Sequence, residues 1–307
     1  MLDARQLEAL SAVLEHGGFG PAAQALNLSL AAVSLRIKAL ETSVGQRLLV
    51  RGKQVRATPA GQALLSHVRQ LRLMEADLFT GLPGGAQGAG RAQWQSLSVA
   101  VNADSLATWF LPGVAALLQK HKLLVQVVID DQDHTHELLK QGEVMACVST
   151  QAQAMRGCLA EPLGVMPYAC MASAAVAEKC RGRGGAVSVH RLLAQPAVVF
   201  NPKDGLQDAF LEQHFGLTAM AYARHQVPAV DAFEAALAHG LGWGMVPKLK
   251  TAQRAGQPAL CDLVEVLPGS VVNVALYWHH WERESASAQR LTRAVKAAAA
   301  QALAQQA

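Results

Sequence analysis

The stretch from residue 19 to residue 45, FGPAAQALNLSLAAVSLRIKALETSVG, predicts two helices joined by a tight turn. Pro21 stands near the start of the first helix, where a residue without a backbone N–H is tolerated. Asn27 suits a left-handed turn, and Ser29 is placed to cap the second helix. The inward face of that helix is predicted, at helical spacing, to be Val33, Ile37 and Leu40.

The neighbouring segments extend these two helices into a winged helix-turn-helix. Asp3 is a plausible N-cap for a preceding helix, which the glycine pair at 17 and 18 ends. After Gly45, residues 48–50 and 55 predict two short strands, the wing of the unit. We assign this domain to residues 1–58.

The outer side of the second helix and the wing carry side chains that suit contact with DNA. Lysine and arginine there would contact phosphates, and Ser34 could reach base edges. The alternative is an ordinary helical hairpin with solvated charges. We predict DNA contacts from Ser29, Ala31, Ser34, Arg36, Lys38, Arg51, Lys53 and Arg56.

A long helix and a glycine-rich segment follow this domain. Thr58-Pro59 places a cap residue before proline at the first helical position, and apolar residues continue at helical spacing to about residue 80. Residues 59–80 therefore predict a dimerisation arm, with packing against its own head as the alternative. Residues 81–93, GLPGGAQGAGRAQ, lose all periodicity and predict a hinge.

From residue 94 onward, strands alternate with helices. The first strands are predicted at 97–101, 124–129 and 145–149, with helices at 106–119 and 137–142, a βαβαβ unit with a largely parallel sheet. Crossing strands near 162–168 and 267–272 would join two lobes around a cleft. The predicted fold class is α+β, with an N-terminal winged helix-turn-helix, a long linker helix and a bilobal α/β domain like that of periplasmic binding proteins. Lobe I covers about 94–165 and 269–307, and lobe II about 166–268.

Composition sets the broad class of the protein. Of its 307 residues, 51% are hydrophobic and 16% charged, as in globular proteins, and the net charge of +4 is a weak indication of a polyanionic partner. No apolar run reaches the roughly 20 residues of a membrane span, and the charged N-terminus is unlike a signal peptide. We therefore expect a cytoplasmic protein with no membrane partner. The cysteine and histidine spacings predict no metal site, and no catalytic group or cofactor is predicted.

Several motifs together carry a resemblance to a known family. In the head they are Phe19-x-x-Ala-Ala-x-x-Leu26, Ala32-Val-Ser34, Arg36-Ile37, Leu40-Glu41, Gly45, Leu48-Leu-Val-Arg51 and Thr58-Pro-x-Gly61. Residues 1–80 thus resemble the DNA-binding head and linker helix of LysR-type transcriptional regulators. The resemblance continues through Asn102–Trp109, Gly142-Glu-Val, Gly240–Pro247 and Leu276–His279 to the branch that controls basic amino-acid export, some members of which are described as inhibitors of chromosome replication initiation.

The resemblance implies a small effector, lysine or arginine, in the cleft. The segment NADSLAT at 102–108 ends a predicted strand and opens a helix, where free N–H groups would suit a carboxylate. Helix capping is the plainer alternative, and a basic effector also needs acidic partners. We predict effector contacts from Asn102, Asp104, Ser105, Thr108, Asp131, Ser149, Asp204 and Asp231.

The sequence departs from the family pattern in the recognition helix. Leu30, Ala31 and Leu35 stand where polar residues are common in the family. We therefore expect readout through phosphates, thymine methyl groups and DNA shape. The leading hypothesis is a tetrameric regulator of an amino-acid exporter gene, acting on double-stranded DNA and RNA polymerase. Its alternatives are a weakly specific architectural binder at a replication origin, and an enzyme built on the bilobal domain, for which no catalytic pair is visible.

Overall fold

The computed structural model describes residues 2–50, 52, 55–81, 94–129, 135–140, 143–253 and 263–304. The predicted wing contacts Arg51 and Lys53, the predicted effector residue Asp131 and residues 82–93 of the predicted hinge lie outside these ranges. Among the described helices, none has the length and apolar character that crossing a membrane requires.

Capping residues and a left-handed turn fix where the helices of the DNA-binding head begin and end. Asp3 accepts hydrogen bonds from the backbone N–H of Arg5 at 2.7 Å, and Ser29 accepts one from Ala32 at 3.2 Å. Asn27 has φ 53°, so both predicted caps and the left-handed turn are confirmed. The elements are α1 (Ala4–Glu15), α2 (Phe19–Ala25), α3 (Leu30–Val44), β1 (Leu49–Val50), β2 (Arg56–Ala57) and α4 (Pro59–Gly81).

The junction of the wing and α4 is held by a few short contacts. The Thr58 hydroxyl donates to the Arg47 carbonyl at 2.7 Å and accepts from the Gly61 N–H at 3.1 Å. Glu41, on α3, accepts from the Leu48 N–H at 2.8 Å. The Cα of Gly61 lies so close to the Leu48 carbonyl that a Cβ would collide with it. The motif Thr58-Pro-x-Gly61 thus fixes how α4 leaves the wing.

The first lobe contains the predicted βαβαβ unit. Its elements are β3 (Gln95–Val101), α5 (Ala103–Ser105), a π-helical turn (Leu106–Phe110), α6 (Leu111–His121), β4 (Leu123–Ile129), α7 (Thr135–Lys140) and β5 (Ala146–Ser149). β3 pairs in parallel with β4 and with β5, which confirms the parallel arrangement. The helix predicted at 106–119 instead begins at Ala103 and passes through the π-helical turn, a feature often found at functional sites.

A single long strand, β6 (Cys158–Ser173), carries the chain into the second lobe. The sequence predicted only its middle, because Pro162, Gly164 and Pro167 are residues that usually interrupt strands. The rest of this lobe consists of α8 (Ala174–Lys179), α9 (Val189–Leu193), β7 (Ala197–Val199), α10 (Leu206–Phe215), β8 (Arg224–Gln226), α11 (Val230–Ala238), β9 (Trp243–Pro247), α12 (Lys248–Gln253) and β10 (Leu263–Glu265).

The chain returns to the first lobe through β11 (Val271–Trp281) and ends in α13 (Ala286–Ala302). β11 runs antiparallel to β6 from Val271 opposite Ala169 to Trp281 opposite Cys158, so these two strands cross between the lobes. The described strands are ordered β4-β3-β5-β11-β6-β9-β7-β8, with β10 beside β6. α13 packs on α6, which confirms the predicted return of the tail, and it also contacts α4.

Candidate functional site

The exposed side of α3 is the candidate DNA-binding surface. Ala31, Leu35 and Lys38 are exposed and follow one another at helical spacing, while Ser34 beside them is half-buried. Two large apolar side chains lie on this side: Leu30 is 56% exposed and Leu35 is 67% exposed. Apolar groups in a major groove contact thymine methyl groups, so the expected apolar readout has the side chains that it needs.

The basic residues predicted to contact DNA have different surroundings. Arg56 is exposed on β2, and Lys38 is exposed on α3. Arg36 instead lies beside α1, where its guanidinium is 4.0 Å from the Glu8 carboxylate and its side chain is 26% exposed. Ser29 has its hydroxyl at the N-terminus of α3, where it caps the helix. Lys38 and Arg56 are therefore the better placed of these for phosphate contact.

A cavity of about 260 Å³ lies between the two lobes. This volume is somewhat below the roughly 300–1,000 Å³ of sites for drug-sized ligands, so it suits a small metabolite. Its wall comes from the start of α5, the loop before α10, and from α11, β9 and β11. The charged and polar lining residues are Asn102, Asp104, Thr150, Lys203, Asp204 and Glu234.

The lobe I wall carries polar groups that are buried but not satisfied. Asn102 is 3% exposed, and neither its amide oxygen nor its amide nitrogen has a hydrogen-bond partner among the described residues. The same holds for the hydroxyl of Ser105, which is fully buried. Buried polar groups normally find a partner, and of these two residues Asn102 lines the cavity, so its unsatisfied amide is the group that a ligand could meet.

Asp104, two residues along, is the acidic group of this wall. Its carboxylate accepts a hydrogen bond from the Tyr168 hydroxyl at 2.8 Å. Burial raises the pKa of the Asp104 carboxyl from 3.8 to about 6; the Tyr168 hydrogen bond lowers it, the nearby Asp204 raises it, and Lys250 lowers it. A cation entering the cavity would stabilise the ionised form.

Asp204, on the lobe II wall, is already engaged by its own loop. Its two carboxylate oxygens accept from the backbone N–H groups of Phe200 at 2.8 Å and Leu206 at 3.1 Å. The carboxylate therefore shapes the loop that faces Asp104 and adds negative charge to the cavity. Replacing it would disturb the loop as well as the charge.

Glu234, on α11, is an acidic cavity residue that the sequence analysis missed. It is 2% exposed, and it lines the cavity beside Phe233. A Cβ at Gly244 would lie 2.8 Å from the Phe233 ring, so this glycine lets α11 lie close against β9. The sequence does give an indication of this residue. Glu234 stands among the apolar residues of VDAFEAALA, and a glutamate is seldom buried unless its charge has a partner or a function.

Asp231 is a correction to the prediction. It lies three residues earlier on α11, outside the cavity lining, with a side chain that is 99% exposed. Residues three apart on a helix are neighbours, and of these two acids only Glu234 is among the residues that line the cavity. Lys250 pairs with both acids, at 3.6 Å from Asp231 and 3.7 Å from Glu234.

Three predicted residues lie near the cavity but not in its lining. Thr108 donates its hydroxyl to the Asp104 carbonyl at 2.7 Å and thereby supports the start of the helix. Ser149 accepts from the Gln151 N–H at 3.2 Å, and its neighbour Thr150 lines the cavity instead. Ser105 is buried behind the wall. Within the described ranges, no group of three or more His, Cys, Asp or Glu is arranged to hold a metal ion.

The fold and these two sites define a class of protein: a winged helix-turn-helix regulator with a bilobal effector-binding domain. Residues 4–62 match the family model described as bacterial regulatory helix-turn-helix protein, lysR family, and residues 93–300 match the LysR substrate binding domain. The chain therefore belongs to the LysR family of DNA-binding transcriptional regulators, a family of regulators rather than enzymes.

Within the LysR family, the chain is similar to proteins named ArgP and LysG. It is 41% identical over 281 residues to the HTH-type transcriptional regulator ArgP of Pseudomonas aeruginosa, covering 92% of this chain and 90% of that protein. The structure of ArgP from Mycobacterium tuberculosis matches with TM-score 0.87 at 36% identity over the whole of both chains. Full-length LysG from Corynebacterium glutamicum with bound effector Arg matches with TM-score 0.78 at 31% identity, covering 98% of this chain and 99% of that one.

Proposed function

We propose that the cleft of this regulator binds lysine or arginine and that binding controls transcription of an amino-acid exporter gene. One observation carries the proposal: Asp104, Asp204 and Glu234, from two lobes, line one small cavity that also contains the unsatisfied amide of Asn102. The LysG relative with bound effector Arg supports the same ligand class.

The charges of the cavity suit a basic amino acid. Such a molecule has two cationic groups and one carboxylate at neutral pH. The Asn102 amide and the N–H groups at the start of α5 would meet the carboxylate. The two cationic groups would form charge-assisted hydrogen bonds with Asp104 and Glu234. A neutral amino acid such as leucine would leave a buried carboxylate uncompensated, which is costly.

The site would act on DNA through the relative positions of the two lobes. An effector that contacts both lobes favours one orientation of them, and α13 contacts both α6 of lobe I and α4 of the head. In this proposal α4, on which Met74 is 42% exposed, pairs two chains, and the dimers form a tetramer in the cytoplasm that alters DNA bending and recruits RNA polymerase.

Calorimetric titration with lysine, arginine, histidine and leucine tests the effector. We expect saturable binding of lysine or arginine and none of leucine. Equal binding of leucine, or no binding of any of the four, would contradict a basic amino-acid sensor. Transcription in vitro from a basic amino-acid exporter promoter, with and without the bound amino acid, then tests the target gene.

A second candidate is a weakly specific architectural DNA binder, which the exposed Leu30 and Leu35 favour. Its signature would be similar affinity for unrelated duplexes with a steep dependence on salt. The regulator instead requires at least one duplex, selected from random sequence, that binds more tightly than the rest by about a thousandfold.

A further inference from the structure

Lys250 is a partly buried lysine that pairs with an acidic residue of the cavity wall. Its side chain is only 15% exposed, although lysine is rarely buried unless it is paired. It lies on α12, which directly follows the cavity-lining end of β9 at Met245–Pro247. Its ammonium group therefore lies close to the Glu234 carboxylate, at the edge of the set of residues that line the cavity.

The ion pairs of Lys250 are longer than hydrogen bonds. The ammonium nitrogen lies 3.7 Å from the Glu234 carboxylate and 3.6 Å from the Asp231 carboxylate. Charge-assisted hydrogen bonds between nitrogen and oxygen span about 2.7–2.9 Å. A cation delivered by a ligand could thus approach Glu234 more closely than Lys250 does.

The charge of Lys250 also acts on the Asp104 carboxyl, which lies on the opposite lobe. Burial raises the pKa of the Asp104 carboxyl, and the charge of Lys250 is the smallest of the influences on it and lowers it. Lys250 therefore supplies positive charge to both acids that we assign to the cationic groups of the effector.

We propose that Lys250 is a tethered competitor, whose ammonium group takes the place at Glu234 that the cationic end of a basic amino acid occupies when it binds. This inference rests on the proposed function and adds the residue that sets the affinity of the site. If Lys250 holds Glu234 for about nine-tenths of the time, the apparent affinity for the effector is about tenfold lower than the intrinsic affinity.

The test compares Lys250→Met with Lys248→Met by titration with arginine and lysine. Lys248 lies on the same helix but pairs with Glu265, at 3.1 Å, and not with the cavity residue Glu234, so it is the matched control. We expect Lys250→Met to bind arginine about tenfold more tightly than the unchanged protein, and Lys248→Met to bind as the unchanged protein does.

Each outcome separates this inference from the proposed function. Binding by the unchanged protein with equal or weaker binding by Lys250→Met would overturn the competitor role alone. Binding of arginine by Lys250→Met but not by the unchanged protein would support the competitor role and overturn effector sensing by the unchanged protein. No binding by either protein would overturn both proposals.

A measurement on the unchanged protein covers the case in which Lys250→Met fails to fold. Brief acylation with reagent in excess over added arginine, followed by mass spectrometry, reports the accessibility of each lysine amine. We expect saturating arginine to raise the modification rate of Lys250 at least threefold, as the displaced ammonium becomes exposed, and to leave Lys248 unchanged. An unchanged or lower rate at Lys250 would overturn the proposal.

Discussion

The DNA-binding head and the interlobe cavity are assembled in different ways. The contacts that shape the head are short in sequence, such as Ser29 to Ala32 and Thr58 to Gly61. The cavity instead gathers residues from Asn102 to Val274, and its charge comes from both lobes. Changes in the head should therefore act through its stability and its phosphate contacts. Changes to the charged residues of the cavity should act mainly on the affinity for the ligand, so DNA-binding and arginine-binding measurements should separate the two sets of changes.

The largest effect is expected from Glu234→Gln. The substitution keeps the shape of the side chain and removes the charge that would pair with a basic effector, so arginine affinity should fall about a hundredfold, or about 2.7 kcal/mol. Calorimetry measures the affinity, and DNA binding without effector should not change. Glu265→Gln, which removes a carboxylate paired with Lys248 outside the cavity, is the control and should bind arginine normally. A similar loss in both variants would contradict the role of Glu234.

The same contrast explains how much of the molecule could be predicted from its sequence. Ser29 and Asn27 were predicted correctly because caps and left-handed turns depend on the residue itself and its nearest neighbours. Asp231 was predicted in place of Glu234 because the side of α11 that faces the cavity is set by packing against distant elements, and the local sequence shows only that Glu234 stands among apolar residues. Strand β6 was predicted only in part, since its prolines are accommodated by pairing with β11 and by an irregular register near Tyr277.

The second prediction concerns the head. Gly61→Ala would force the added Cβ against the Leu48 carbonyl, so the wing junction must shift and the head should lose about 2 kcal/mol of unfolding free energy. Thermal unfolding and DNA-binding titrations measure the loss, while arginine affinity should be preserved. Gly20→Ala is the control because no atom lies within 4 Å of its added Cβ. Equal stability of the two variants would show that the junction adapts without cost.

The third prediction is a pH dependence of the cavity. Burial raises the pKa of the Asp104 carboxyl to about 6, so arginine affinity should fall about tenfold for each pH unit below 6, as the carboxylate takes up a proton. Asp104→Asn should bind arginine weakly at pH 7.5 and show no such dependence. Titrations between pH 5 and 7.5 on both proteins measure this, and a parallel decline in Asp104→Asn would assign the proton to another group.

Stability should respond to the same carboxyl in the opposite direction. The folded protein binds more protons than the unfolded chain between pH 3.8 and about 6, so the contribution of Asp104 to stability is present at low pH and is lost as the pH rises through about 6. Relative to the unchanged protein, Asp104→Asn should thus be more stable at pH 7.5 than at pH 5. Urea unfolding at the two pH values measures the difference.

The smallest effect is expected from Arg56→Ala on the wing. Arg56 is exposed on β2. A contact with a phosphate does not depend on the base sequence, so removing the side chain should weaken binding a fewfold on every duplex alike. The dependence of log affinity on log salt should become shallower by about one. Arg191→Ala, an exposed arginine on α9 in lobe II, is the control and should change neither quantity. A loss confined to one sequence would mean that the wing reads bases, and the head would then recognise DNA through more than α3.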